Sequence, residues 1–162
     1  MAKVIKMLNK IFHKKISEET LENYEGDIVN ALLESSNYLS DKSEYRKLSI
    51  PRKEKIMFLF TVRPLNDDEL AKCRSQNLKN RGKRNETLDN ARFASQVIYT
   101  ATIDEDRAKL WDNQAVWNKL NVVSGIDVIN AVLKPGEKTA IIEEINKICG
   151  YDDDLEEIIK NE

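Results

Sequence analysis

Apolar residues recur along this chain at two different periods, and each change of period marks a change of element. Val4, Ile5, Leu8, Ile11, Phe12 and Ile16 follow helical spacing, with lysines filling the other face. Ser17, followed by Glu18 and Glu19, starts a second helix with carboxylates near the positive end of its dipole. Leu21, Tyr24, Ile28 and Leu32 carry its stripe to about Ser36. Gly26 inside that stripe costs roughly 1 kcal/mol relative to alanine, so this helix needs tertiary support. The polar stretch 37–44 reads as a linker.

The period then shortens to two. Tyr45 to Ile50 predicts a short strand ended by Pro51, and Pro51-Arg-Lys-Glu54 suits a turn. Ile56, Phe58, Phe60 and Val62 alternate with Met57, Leu59 and Thr61, so both faces of the next strand are largely apolar. That composition predicts a strand buried on both sides, in a hairpin over 44–63.

Helical spacing returns at Asn66. Asn66 with Glu69 forms a capping-box pattern, Leu65 and Leu70 hold the hydrophobic-staple positions, and Asp67 and Asp68 charge the first turn. This helix carries Leu70, Cys73 and Leu78 before dissolving into Asn80-Arg-Gly-Lys-Arg84. A helix from about Leu88 to Thr102 places Ala91, Ala94, Ile98 and Ala101 on one side, with Phe93 and Val97 beside them. Leu110, Trp111, Val116, Trp117 and Leu120 cluster around another short helix. Ser124 caps a helix running to about Leu133, Pro135 sits near the start of the last one, and Ile141, Ile145 and Ile148 give that helix its buried face.

Composition sharpens this picture. At 162 residues, with 41% hydrophobic positions, the chain can build a single core. Charged residues reach 33%, above the roughly 25% typical of soluble domains, which favours helices with solvated faces. The net charge of −2 conceals blocks. Residues 1–16 carry five lysines and no acid, 17–41 carry seven acids and no lysine or arginine, and 72–84 carry six basic groups and no acid. The chain therefore divides into an amphipathic N-terminal helical arm (1–40), a core (41–150) and an acidic C-terminal tail (151–162). No apolar run approaches the roughly 18 residues of a membrane span, and the lysines at 6, 10 and 14 interrupt any signal-peptide core, so the expected location is cytosolic.

The chemistry-bearing residues are few. His13 is the single histidine and lies on the basic arm, which leaves no His-containing triad and no multi-histidine metal site. Asp104-Glu-Asp106 and Asp152-Asp-Asp154 lack the glycine and ligand spacing of a calcium loop. Five scattered glycines make no phosphate-binding loop, and Cys73 and Cys149 form no CxxC pair. The expectation is a protein without catalytic residues, metal or cofactor. Two features point to binding instead. The segment 72–84 can neutralise phosphates, which makes a small nucleic-acid-binding or regulatory protein the alternative, although no aromatic residue interleaves its basic groups for base stacking. The arm can dock its apolar face in a partner's groove, lie on an acidic membrane surface, or pack on the core or its own acidic neighbour at 17–41.

Several short motifs occur in a recognisable order: Ala31-Leu-Leu-Glu-Ser35, Thr61-Val-Arg-Pro-Leu65, Asn66-Asp-Asp-Glu69, Gly125-Ile-Asp-Val-Ile129 and Leu133-Lys-Pro-Gly-Glu137. Over residues 30–150 the chain resembles the XkdN-like tail assembly chaperones of contractile-tailed phages and phage-derived particles. The basic helix at 1–16 and the basic loop at 80–90 depart from that family's pattern. The resemblance implies a non-enzymatic chaperone, made in the cytoplasm of the infected or induced bacterium and absent from the mature particle. Such a protein holds the tape measure protein soluble until tail tube subunits assemble around it, with the tail tube protein and self-association as further contacts. The expected contact surface is Leu8, Ile11 and Phe12 on the arm, with Trp111 and Trp117 as anchors, although an ordinary core role suits at least one of the tryptophans. The expected fold is α+β, predominantly helical with a small β-hairpin-based sheet.

Overall fold

The computed structural model of the chain describes residues 28–38 and 42–151. The arm at 1–16 and the acidic tail beyond Tyr151 lie outside the described residues. Helix α1 (Ile28–Tyr38) belongs to one unit, and residues 42–150 form a second, compact one. In α1 the apolar stripe is helical, as its spacing predicts, and it faces solvent: Ile28, Leu32 and Leu33 are 64%, 65% and 57% exposed.

The compact unit begins with strands β1 (Arg46–Arg52) and β2 (Lys55–Val62), paired antiparallel from Arg46↔Val62 to Arg52↔Lys55. Two readings of this hairpin need correction. Pro51 does not end β1 but lies within it, where the register shifts between Ile50 and Pro51. A residue without an N–H is tolerated at such a bulge. The turn itself is only Lys53-Glu54, both at positive φ (49° and 66°), the backbone a tight two-residue hairpin requires. Nor is β2 buried on both sides: Phe60 and Val62 are enclosed, whereas Ile56, Met57 and Leu59 are 63%, 56% and 45% exposed.

Asn66 then caps α2 (Asp67–Gln76) with a complete capping box: Glu69 N–H donates to Asn66 Oδ1 at 2.8 Å, and Asn66 N–H donates to Glu69 Oε2 at 3.1 Å. The segment after it does not dissolve. Leu78–Lys79 (β3) pairs with Thr87–Leu88 (β4), closing the basic loop into a second small hairpin. Asp89 caps α3 (Asn90–Ala101), the central helix, which packs against α2, α6 (Gly125–Val132) and α7 (Pro135–Ile148). Its buried positions are Ser95, Val97, Ile98 and Ala101; Ile98 and Ala101 of the predicted stripe are enclosed, whereas Ala91 is exposed and Ala94 half-buried, so the buried face is rotated toward Ser95 and Val97. The short helix α4 (Asp104–Lys109) bonds the end of α3 through Arg107, and α5 (Gln114–Leu120) packs against α6. Ser124 and Pro135 start α6 and α7 as expected.

The hairpin is tied to the helices through its core-facing side. Phe58 and Phe60 meet Trp111 edge-on, with ring centroids 5.8 and 5.5 Å apart. The end of β2 also borrows a backbone partner beyond β1: Arg63 N–H donates to Ala101 O at 2.8 Å, and Ile103 N–H donates to Thr61 O at 3.0 Å. Gly125 is required by close approach, since a Cβ there would lie 2.6 Å from the Tyr99 ring and 2.7 Å from Asp112 Oδ1. The result is a predominantly helical α+β fold with a small hairpin sheet.

Candidate interaction surfaces

The polar side chains inside the compact unit join elements to one another. Arg107 of α4 donates to the carbonyls of Tyr99, Thr100 and Thr102 at 3.1, 3.2 and 2.9 Å, where α3 leaves its last carbonyls without helical partners. Its guanidinium also lies 4.9 Å from the Tyr99 ring centroid. Tyr99 OH donates to Asp112 Oδ2 at 2.8 Å; burial, then the neighbouring carboxylate, pushes its phenol up. Asp106 accepts the Thr61 N–H at 2.7 Å, so it serves as a backbone partner for β2. Arg63 grips Glu69 through two nitrogens at 3.1 and 2.7 Å, and those bonds hold the Glu69 carboxyl below the usual glutamate range.

Both thiols are packed into the fold. Cys73 is buried and Cys149 half-buried, and burial raises both above the ordinary cysteine value. Cys149 Sγ accepts the Leu65 N–H at 3.3 Å, which gives it a structural task. Among the described residues no group of three His, Cys, Asp or Glu side chains is arranged to hold a metal ion, and no helix is long and apolar enough to cross a membrane.

Of the residues singled out for partner binding, the structure describes Trp111 and Trp117, which touch each other. Leu8, Ile11 and Phe12 lie outside the described residues. Trp111 is 1% exposed, and its Nε1–H donates to Thr102 Oγ1 at 3.0 Å. It is a core residue and offers a partner no surface in this fold. Trp117 is half-buried, and its Nε1–H is used within the fold, on Trp111 O at 2.6 Å. The basic segment splits between two elements. Lys72 and Arg74 project from α2, Lys79 pairs with Asp89 at 3.2 Å, and Arg81, Lys83 and Arg84 stand exposed on the loop of the second hairpin.

Sequence reasoning missed the surfaces that the fold does present. One is the exposed stripe of α1 at Ile28, Leu32 and Leu33. Another is the free half of the first hairpin, at Ile56, Met57 and Leu59. The third is a largely apolar groove of about 290 Å³ between β1 and α7, lined by Leu48, Ser49, Ile50, Pro51, Ala140 and Ile141, with Glu137 and Glu144 on its rim. Ion pairs stand at both ends: Arg46 to Glu144 at 2.7 Å, and Arg52 to Glu137 at 2.9 Å. Arg52 also donates to Val132 O, so one side chain joins the hairpin to the end of α6 and the start of α7. The Arg52 hydrogen bond, then the Lys134 N–H, hold Glu137 below the usual range. Lys147, then Arg46, do the same for Glu144. The amphipathic pattern of α1 was a usable signal for the first surface. No signal within β1 or α7 alone marks a groove that exists only between them.

Capped helices, a small hairpin, internally satisfied polar groups and exposed apolar faces are the features of a scaffold suited to contact. Residues 29–161 match the family model of the phage XkdN-like tail assembly chaperone proteins, and the chain belongs to that family. The resemblance carried by the motifs between residues 30 and 150 is thereby shown. No curated protein and no solved structure matches the chain.

Proposed function

We propose that this tail assembly chaperone acts without catalysis, binding the tape measure protein and keeping it soluble while the tail tube assembles around it. Family membership across residues 29–161 is the observation that carries this reading. The exposed apolar positions support it physically. A long client with apolar helical stripes aggregates unless those stripes are covered, and an amphipathic partner covers them by helix-to-groove contact. α1 offers such a face at Ile28, Leu32 and Leu33, and the arm's Leu8, Ile11 and Phe12 extend the same design in sequence. Trp117 remains a candidate contact through its exposed part, and the tail tube protein and a second copy of this chain are further contacts of the same kind. In this reading the protein works in the cytoplasm of a bacterium carrying a contractile-tailed phage or prophage, and it leaves before the particle is complete.

The test is co-expression with the tape measure protein encoded by the same particle, followed by pull-down at low and high salt. A soluble complex that survives high salt is the expected result, since apolar contacts are not screened. Failure to form a complex, with salt-sensitive retention of nucleic acid, would move the function to the basic groups of segment 72–84, because phosphate contacts weaken steeply with salt.

A further inference from the structure

We propose that the free edge of β1, facing the groove beside α7, is a strand-addition site for an extended apolar segment of the client with an acidic flank at its Arg52 end; this inference rests on the chaperone reading above. The direction of the backbone groups leads to it. Arg63 N–H and Thr61 O bond to Ala101 and Ile103, and Thr61 N–H bonds to Asp106, so both residues turn their backbone groups away from β1. Those groups alternate along a strand, so Val62, Phe60 and Phe58 face β1 and exchange bonds with Arg46, Leu48 and Ile50. Lys47 and Ser49 therefore direct their N–H and C=O groups to the other edge. Both residues are exposed, and no described residue bonds to that edge.

The occupant's chemistry follows from the walls. Donors and acceptors repeating every second residue are complementary to another strand, and the two-stranded hairpin gains a third, which strengthens a sheet that is marginal by itself. Leu48, Ile50, Ala140 and Ile141 line the groove. The rim acids Glu137 and Glu144 are each held by an arginine, so the floor favours uncharged apolar side chains. The end ion pairs, with Pro51 lacking an N–H, limit the added strand to about four residues, or roughly 13 Å. Past the Arg52 end Lys53 and Lys55 have no ion-pair partner among the described residues, which suits acids on that side of the apolar stretch.

The experiment is amide hydrogen exchange at Lys47 and Ser49 in the full chain, free and in complex with the co-expressed tape measure protein. The inference expects rapid exchange in the free chain and slowing by at least about tenfold in the complex. Ala140→Glu, at an exposed position of α7, is expected to weaken the complex by about tenfold, or 1.4 kcal/mol, by placing a charge in the groove. Slow exchange in the free chain would overturn the inference, because the edge would already be covered. A stable complex with no slowing at either amide, or unweakened by Ala140→Glu, would overturn it and leave the chaperone reading standing. Absence of any complex would overturn both.

Discussion

The two halves of β2 have similar composition and opposite fates. Phe60 and Val62 are fully enclosed, with Trp111 against the Phe60 ring and the chain at 101–103 bonded to the strand's far edge. Ile56, Met57 and Leu59, a few residues earlier, stand in solvent. Trp111 and the turn into α4 cover the face of β2 that carries Phe60 and Val62, whereas Leu59, next to Phe60, points to the opposite face and Ile56 and Met57 stand near the Lys53-Glu54 turn. An apolar residue on the covered side supports the fold, and the same kind of residue on the exposed side is available to a partner. Apolar composition therefore does not distinguish core from contact surface here.

The sharpest way to break this comparison is to truncate both halves. Phe60→Ala removes a fully buried ring and is expected to cost about 3–5 kcal/mol in denaturant unfolding. If the loss is under about 1 kcal/mol, the covered half is not core in the sense argued here. Next in size is Gly125→Ala, where a methyl group would meet the Tyr99 ring and Asp112 beside Trp111. Overpacking of this kind costs about 1–3 kcal/mol, read as a lower thermal midpoint.

A smaller effect comes from pH. The Arg63 hydrogen bonds lower the folded-state pKa of Glu69, so at acid pH the unfolded chain binds more protons than the folded one. The pair's contribution is complete above the ordinary glutamate pKa of about 4.3, and it is lost as pH falls through that value and then through the lowered one. Its size is on the order of 1 kcal/mol, because the pair is only partly shielded from water. Glu69→Gln is expected to flatten that part of the stability–pH curve, and an unchanged curve would remove the pair from the account of acid sensitivity. The smallest effect on folding is Leu59→Ser at the free half, within about 0.5 kcal/mol of the parent. Its expected consequence is weaker recovery of the tape measure protein in the pull-down. Equal recovery would mean that this half is not a contact surface.

Local signals were legible wherever a few neighbouring residues settle the outcome. The Asn66–Glu69 capping box, the Ser124 cap and Pro135 at a helix start all formed, because a cap is a contest among backbone groups within one turn. The hairpin was legible as a unit, but its details were not. Lys53-Glu54 gives no hint of two positive φ values, and the bulge at Met57, opposite the Ile50–Pro51 step, arises only when β2 must keep register with β1. The rotation of the buried face of α3 toward Ser95 was equally hidden. Ser95 Oγ lies 2.7 Å from Asn130 Oδ1, a partner 35 positions away, and that bond lets a hydroxyl lie inside. The tryptophans show the same limit for sites: sequence marks them as large and contact-prone, and only packing separates enclosed Trp111 from half-buried Trp117.

By itself, the order of residues determined most of the elements, several of their caps and the family to which the chain belongs, since these depend on short-range periodicity and motifs. Tertiary structure decided which apolar faces were spent on the core and which remained open, because burial depends on what arrives from elsewhere in the chain. The groove beside β1 is the clearest case. Its walls come from residues about ninety positions apart, and its free edge exists because β2 takes only one side of β1.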